Sequence, residues 1–457
     1  MTNRLDRDFH LPGLLRFALP TIIMMLVVSL YTIVDGVLIA RLVGENALAA
    51  ANVAYPAISF TLAMGIMLGT GGSAVVAHKM GAGYLEEARR DFGFLALVAV
   101  CIGLAVCLAG ALFAGPLARL LGASDLLLDD TVTYLRVQLC FAPMAMLQLL
   151  FESFFVTAGR PGLGLGLATA AGVTNAVLDY LYMGPMQMGI LGAALGTVTG
   201  YSIPAVAGVL FSCSAGRGSA LAAPHGDLRM LGRACFNGAS EMVTNLSMAV
   251  TTFLFNAIMM AYLGEAGVSA ITIVLYAQFL LVALYMGFSM GVAPVFSFNR
   301  GAGRYDRMRR IFGYCLRFIL VSSVAILAVA LALSGVVVGI FSTPGSPVYA
   351  IALDGFRRFA PAFLFAGVNI FSSALFTALS DGRTSAIISF ARTFGFLLLG
   401  LLLLPRLLEV DGVWLAVPLA ELLSCLLSVW FLRRKRADFG FGGGDLPRHG
   451  GRGGGRI

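Results

Sequence analysis

Apolar runs of about twenty residues, each long enough to cross a bilayer, recur from one end of this chain to the other. There are twelve, at 14–40, 46–77, 92–113, 131–157, 162–183, 190–212, 234–262, 267–298, 311–341, 352–378, 385–405 and 412–432. A backbone surrounded by lipid must satisfy its own hydrogen bonds, which leaves helices and closed barrels. Barrel strands would be about ten residues long and would alternate in polarity. These runs do neither. Of 457 residues only 12% are charged, against about a quarter in a soluble domain. The expectation is an all-α integral membrane protein with twelve transmembrane helices.

The net charge of +8 raises the possibility of a nucleic-acid partner, but the distribution of charge argues against one. If the N-terminus lies inside, inner segments carry 23 Lys and Arg, led by Arg300 to Arg310 and the run Arg433 to Arg436. Outer loops carry five: Arg41, Arg119, Arg357, Arg358 and Arg406. Three more, Arg136, Arg317 and Arg392, lie in or at the edge of spans. This is the positive-inside bias of a plasma (inner) membrane protein, and it predicts both termini in the cytoplasm. Met1 to His10 has no short apolar region with a cleavage site and does not read as a signal peptide. The seven cysteines form no CxxC and read as apolar packing residues. No residue pattern for a metal or organic cofactor is present.

The second half of the chain repeats the first. Gly44-Glu45 matches Gly264-Glu265, Gly81-Ala82-Gly83 matches Gly301-Ala302-Gly303, and Gly192 matches Gly412, each 220 residues on. Six spans recur as six spans in the same orientation, a transporter architecture. The expected layout is an N-terminal six-helix lobe (1–215), a C-terminal six-helix lobe (216–436) and a Gly/Arg-rich cytoplasmic tail (437–457).

Against this apolar background two acids stand out. Asp35 lies within the first span and Asp179 within the fifth. A charge at membrane depth costs roughly 3 kcal/mol or more, so it faces a cavity or a partner and marks function. Asn175 precedes Asp179 by four residues and shares its helical face. By the repeat Asp35 maps onto Phe255, and Asn175 and Asp179 map onto the apolar stretch 395–402. The scaffold is repeated and the acids are not, which favours function over a structural role. Two carboxylates sharing a desolvated site cannot both ionise cheaply. Other intramembrane charges, Glu152, Arg136, Glu241, Arg392 and Glu421, line a cavity or pair between helices. Arg392 with Glu421 is a plausible structural pair.

The ordered set Tyr31-xxx-Asp35, Gly81-Ala82-Gly83, Gly159-Arg160-Pro161, Asn175-xxx-Asp179-Tyr180, Gly192-Ala193-Ala194-Leu195-Gly196-Thr197, Asn299-Arg300-Gly301-Ala302-Gly303 and Gly412-Val413-Trp414 resembles the multidrug and toxic compound extrusion (MATE) transporters. The likeness runs from about residue 10 to 435. It implies two lobes forming a V around a central cavity. It also implies export of organic cations or amphipathic toxins in exchange for H⁺ or Na⁺. The first-lobe coupling site it implies comprises Asp35, Asn175, Asp179, Thr197 and Tyr134, with Na⁺ possible at Asp35, Asn175, Asp179 and Thr197. Tyr31, Glu152, Glu241, Asn369, Arg392 and Glu421 are candidate cavity or secondary polar residues. Another branch of the family carries acids in the middle of helices 7 and 10. Here span 7 has only Glu241, near its inner end, and span 10 has Asn369, which argues against a second-lobe cation site.

The leading expectation is therefore a secondary active exporter, not an enzyme, working as a monomer in the bilayer on small organic cations. A lipid-linked oligosaccharide flippase of related fold would call for a strongly cationic cavity, and the intramembrane Arg set is sparse. A membrane-embedded enzyme or receptor would lack a reason for the repeat.

Overall fold

A computed structural model of the chain describes residues 4–213, 226–436 and 438–439. The expected lobe boundary at 215/216 lies outside these residues, as does nearly all of the expected tail. All regular structure among the described residues is helical.

The first lobe comprises α1 (Leu11–Leu42), α2 (Glu45–Gly81), α3 (Leu85–Leu120), α4 (Leu128–Cys140), α5 (Ala142–Thr157), α6 (Pro161–Met183) and α7 (Gly189–Cys213). The second comprises α8 (Leu228–Gly301), α9 (Tyr305–Ala332), α10 (Ser334–Phe341), α11 (Pro347–Phe359), α12 (Ala362–Ala378), α13 (Gly382–Phe390), a π-helical stretch (Ala391–Leu397) and α14 (Leu398–Arg434). Eight helical segments are long and apolar enough to span, and α4 with α5 and α11 with α12 form two more spans bent by 54° and 55°. Two of the eight double back: α8 breaks at Gly264 (φ 62°, ψ −151°) and α14 at Glu409 (φ 51°, ψ −130°). The total is twelve crossings in two six-span lobes.

The bends have a local cause. Phe141-Ala142-Pro143 and Phe359-Ala360-Pro361 sit at the two breaks. Proline lacks an N–H and clashes with the carbonyl one turn back, so each helix stops and restarts at an angle. At the α8 break Gly264 adopts a positive φ that a residue without a side chain tolerates.

Each lobe has its own core. In the first, Phe92, Phe151, Phe154 and Phe155 interlock, with the Phe92 and Phe154 rings 4.2 Å apart. In the second, Trp414 is buried with Phe356 and Phe363 and lies so close to Gly355 that any Cβ there would overlap its ring. The lobes meet where α1 and α2 pack on α8. A Cβ on Gly81 would overlap the carbonyl oxygen of Phe298, and one on Gly301 would overlap that of His78. His78 and Phe298 are themselves 220 residues apart, so the two contacts are reciprocal copies of one another. About three turns back along α2, Gly71 packs in the same way against Ala234, and Met67 against Gly238, with Ala234 and Gly238 on the first half of α8. Lipid offers no hydrophobic drive between helices, so such small-residue contacts are the natural glue.

These contacts lie toward the end of the bundle that carries the basic clusters. There the N-terminal segment crosses to the second lobe. Leu5 and Phe9 are buried among Met308, Ile311 and Phe376. Asp6 pairs with Arg304, and Asp8 receives Arg310 at 3.2 Å.

Candidate functional site

Asp35 stands on α1, Asn175 and Asp179 on α6, Thr197 on α7 and Tyr134 on α4. α6 packs between α1 and α7, and the absence of side chains at three glycines makes the approach close. A Cβ at Gly172 would lie 2.8 Å from the Tyr31 ring, one at Gly200 would lie 3.2 Å from Cβ of Asn175, and one at Gly196 would overlap Oδ1 of Asp179.

Asp179 is fully buried and Asn175 nearly so. The Asn175 amide nitrogen donates to Asp179 Oδ2 at 2.8 Å. The Asp35 and Asp179 carboxyls lie within electrostatic reach of each other across the α1–α6 contact. Oδ1 of each acid is buried without a hydrogen-bond partner, and among the described residues neither acid has a Lys or Arg partner.

Tyr134 is buried within electrostatic reach of both acids. Thr197 is on the adjoining helix, but its hydroxyl donates to the carbonyl of Ala193 at 3.0 Å. No hydrogen bond joins it to either acid among the described residues. Three residues that sequence reasoning passed over complete the cluster. Tyr201, one turn beyond Thr197, lies within reach of Asp35 and Glu152. Gln138 lies one turn along α4 from Tyr134. Gln148 donates to Glu152 Oε1 at 2.9 Å, and Tyr31 lies within electrostatic reach of both Glu152 and Asp35. Polar groups therefore extend from the acid pair past Tyr31 toward Glu152. The i+4 spacings Thr197–Tyr201 and Gln148–Glu152 were the available signals.

The remaining candidates gather elsewhere. Arg392 donates to Glu421 Oε1 from Nε at 2.8 Å and from Nη2 at 2.6 Å. Asn369 Nδ2 donates to Glu421 Oε2 at 2.7 Å, and Ser428 donates to Asn369 Oδ1 at 3.1 Å. Glu241 lies within electrostatic reach of Arg392. These five residues form a second-lobe network that, among the described residues, does not join the acid pair.

Comparison with known proteins addresses what such an assembly belongs to. The model of the MatE family matches the chain twice, over residues 20–181 and 242–402. The chain belongs to the MatE family. The two matches fall one in each lobe. The multidrug export protein MepA of Staphylococcus aureus (strain NCTC 8325 / PS 47) is 24% identical over 438 residues, covering 92% of this chain and 94% of that protein. MepA of Staphylococcus haemolyticus (strain JCSC1435) is 22% identical over 428 residues, with 92% of each covered. Among solved structures, a MATE in complex with MaL6 superposes with a TM-score of 0.90 at 18% identity, covering 96% of this chain and 99% of that one. An outward-facing multidrug resistance MATE family transporter of the MOP superfamily gives 0.89 at 18% identity, with the same coverage. A MatE-family protein is a multi-pass membrane transporter of small molecules, not an enzyme, and the fold described above is the MATE fold.

Proposed function

We propose that this MatE-family protein exports organic cations or amphipathic toxins from the cell by antiport, with H⁺ as the entering ion. The observation that carries the reading is the buried pair of Asp35 and Asp179 carboxyls within electrostatic reach of each other, with no basic neighbour among the described residues. Such a pair holds one proton readily and a second charge poorly. Deprotonation leaves two like charges that must separate or be bridged by a cation. Loading and unloading that proton changes how α1 and α6 attract one another, which biases the orientation of the lobes. Na⁺ is the alternative ion, since Asp35, Asp179, Asn175 and Thr197 offer the oxygens that hard cations prefer. Asn175 gives its N–H to Asp179 and Thr197 gives its proton to its own helix, which leaves their oxygens available to either ion, so the preference for H⁺ rests on the acid pair.

In this reading the protein works as a monomer in the plasma (inner) membrane with both termini cytoplasmic. Residues 1–215 rock against 216–436 about the glycine seam, so a substrate cleft opens to either side in turn. The test is efflux of a fluorescent organic cation from proteoliposomes under an imposed pH gradient without Na⁺. Efflux is expected. Strict dependence on Na⁺, lost in Asn175→Ala, would overturn the ion and keep the site. Ion dependence that survives loss of both acids would overturn the site.

A further inference from the structure

At the seam between the lobes, on the basic end, lies a cavity of about 450 Å³. His78, Lys79 and Tyr84 line it from the first lobe, and Arg233, Asn237 and Arg300 line it from α8 of the second. Among the described residues no carboxylate lines it. It adjoins a second cavity of about 520 Å³ that shares Lys79 and Arg233 and adds Arg90 together with two acids, Glu87 and Asp227.

The acids near this seam are already engaged. Glu87 receives Lys79 at 3.3 Å, and Asp91 receives it at 2.7 Å. Asp227 caps α8, accepting the backbone N–H groups of Arg229 and Met230, and the Met230 N–H chief among them holds its carboxyl below the usual range. Asp381, within electrostatic reach of Arg300, is paired with Lys435. Neither Arg233 nor Arg300 forms a salt bridge among the described residues, although Asp227, engaged as a helix cap, lies within electrostatic reach of Arg233. Arg300 stacks its guanidinium 5.2 Å over the Phe439 ring, and its Nη1 is buried with no acceptor. Nδ1 of His78, beside Arg300, is also buried without a partner.

A guanidinium takes phosphate oxygens in a planar, two-pronged fashion, and a buried N–H without an acceptor is costly. We propose that this cavity is a binding site for a phosphate group, held by Arg233 and Arg300 with Lys79 and His78. It is distinct from the acid cluster and independent of the transport reading. Because Lys79 and His78 belong to one lobe and the two arginines to the other, the bound anion bridges the seam that Gly81 and Gly301 close. The phosphate has two possible sources, the headgroup of an anionic lipid or a free anion.

The experiment is the thermal midpoint of the full chain in phosphatidylcholine nanodiscs at constant ionic strength. One arm adds inorganic phosphate and the other replaces part of the lipid with phosphatidylglycerol. A rise of about 4 °C is expected in at least one arm, as for a ligand well above its dissociation constant. A rise with phosphate assigns the site to a free anion, and a rise with phosphatidylglycerol alone assigns it to a headgroup. Arg233→Gln and Arg300→Gln should each remove most of the rise, and Arg300→Lys should restore part of it, which separates lost charge from misfolding. Arg309→Gln, an exposed charge on the same end, should leave it intact. No rise in either arm, or a rise that Arg309→Gln reduces as much as Arg233→Gln and Arg300→Gln do, would overturn the proposal.

Discussion

The two lobes are built on one plan and treat their buried acids in opposite ways. In the second lobe Glu421 is held by two nitrogens of Arg392 and by the amide of Asn369. Its charge is neutralised permanently and its lone pairs are satisfied. In the first lobe Asp179 accepts from Asn175, and among the described residues neither Asp35 nor Asp179 has a Lys or Arg partner. At the position equivalent to Glu421 the first lobe carries Tyr201, and at the position equivalent to Asp35 the second carries Phe255, buried in its core. A buried acid with a fixed cation is part of the scaffold. A buried acid pair without one needs a mobile positive charge, and that need is what a coupling site supplies.

The comparison can be broken in four places. The largest effect is expected from Asp35→Asn and Asp179→Asn. Each should nearly abolish efflux from proteoliposomes while insertion and thermal midpoint hold or improve, because a like-charge conflict is removed. Full transport in either variant would remove the distinction between the lobes. Next come Arg392→Met and Glu421→Gln. Breaking one side of a buried pair strands the other charge, at about 3 kcal/mol or more of stability, while the ion dependence of the surviving folded protein should be unchanged. A loss of coupling with normal stability would move the second-lobe network from scaffold to mechanism.

Third, where the lobes are alike they should respond alike. Gly81→Ala and Gly301→Ala each force a methyl group onto a backbone carbonyl of the other lobe. Overpacking of this kind costs about 1–3 kcal/mol, and the two thermal midpoints should fall by similar amounts. A strong effect in one and none in the other would show that the seam is not the symmetric hinge described. The smallest effect is expected from Thr197→Val, since the hydroxyl it removes is bonded to its own helix. Less than about a twofold change in efflux, or under 0.5 kcal/mol, corresponds to a site that does not use it. A large loss would favour Na⁺, which would recruit that oxygen.

Much of this was legible before any coordinates. The crossings follow from run length, the lobes from the 220-residue repeat, and the prominence of Asp35 and Asp179 from the price of charge in lipid. Asn175 followed from its spacing to Asp179. Tyr31 and Tyr134 were reached through the family resemblance, whereas Tyr201, Gln138 and Gln148 were not singled out, because such half-apolar residues raise no alarm in a membrane span. What the Thr197 hydroxyl bonds to was hidden for a different reason, since a threonine in a helix can serve its own backbone or a neighbour and only packing decides. The reciprocal contacts of Gly81 and Gly301 were visible as a repeated Gly-Ala-Gly, but their meeting across the seam depends on how two distant helices cross. The break at Glu409, a non-glycine residue at positive φ, carries no local sequence signal.

In the proposed mechanism the acid pair of the first lobe holds the proton that substrate binding exchanges. The direct measurement is proton release when a cationic substrate is added to the purified, weakly buffered protein. The wild type should release protons on binding, Arg392→Met should release as many per folded molecule, and the double variant Asp35→Asn/Asp179→Asn should release none. Undiminished release from the double variant, or its loss in Arg392→Met, would contradict the claim.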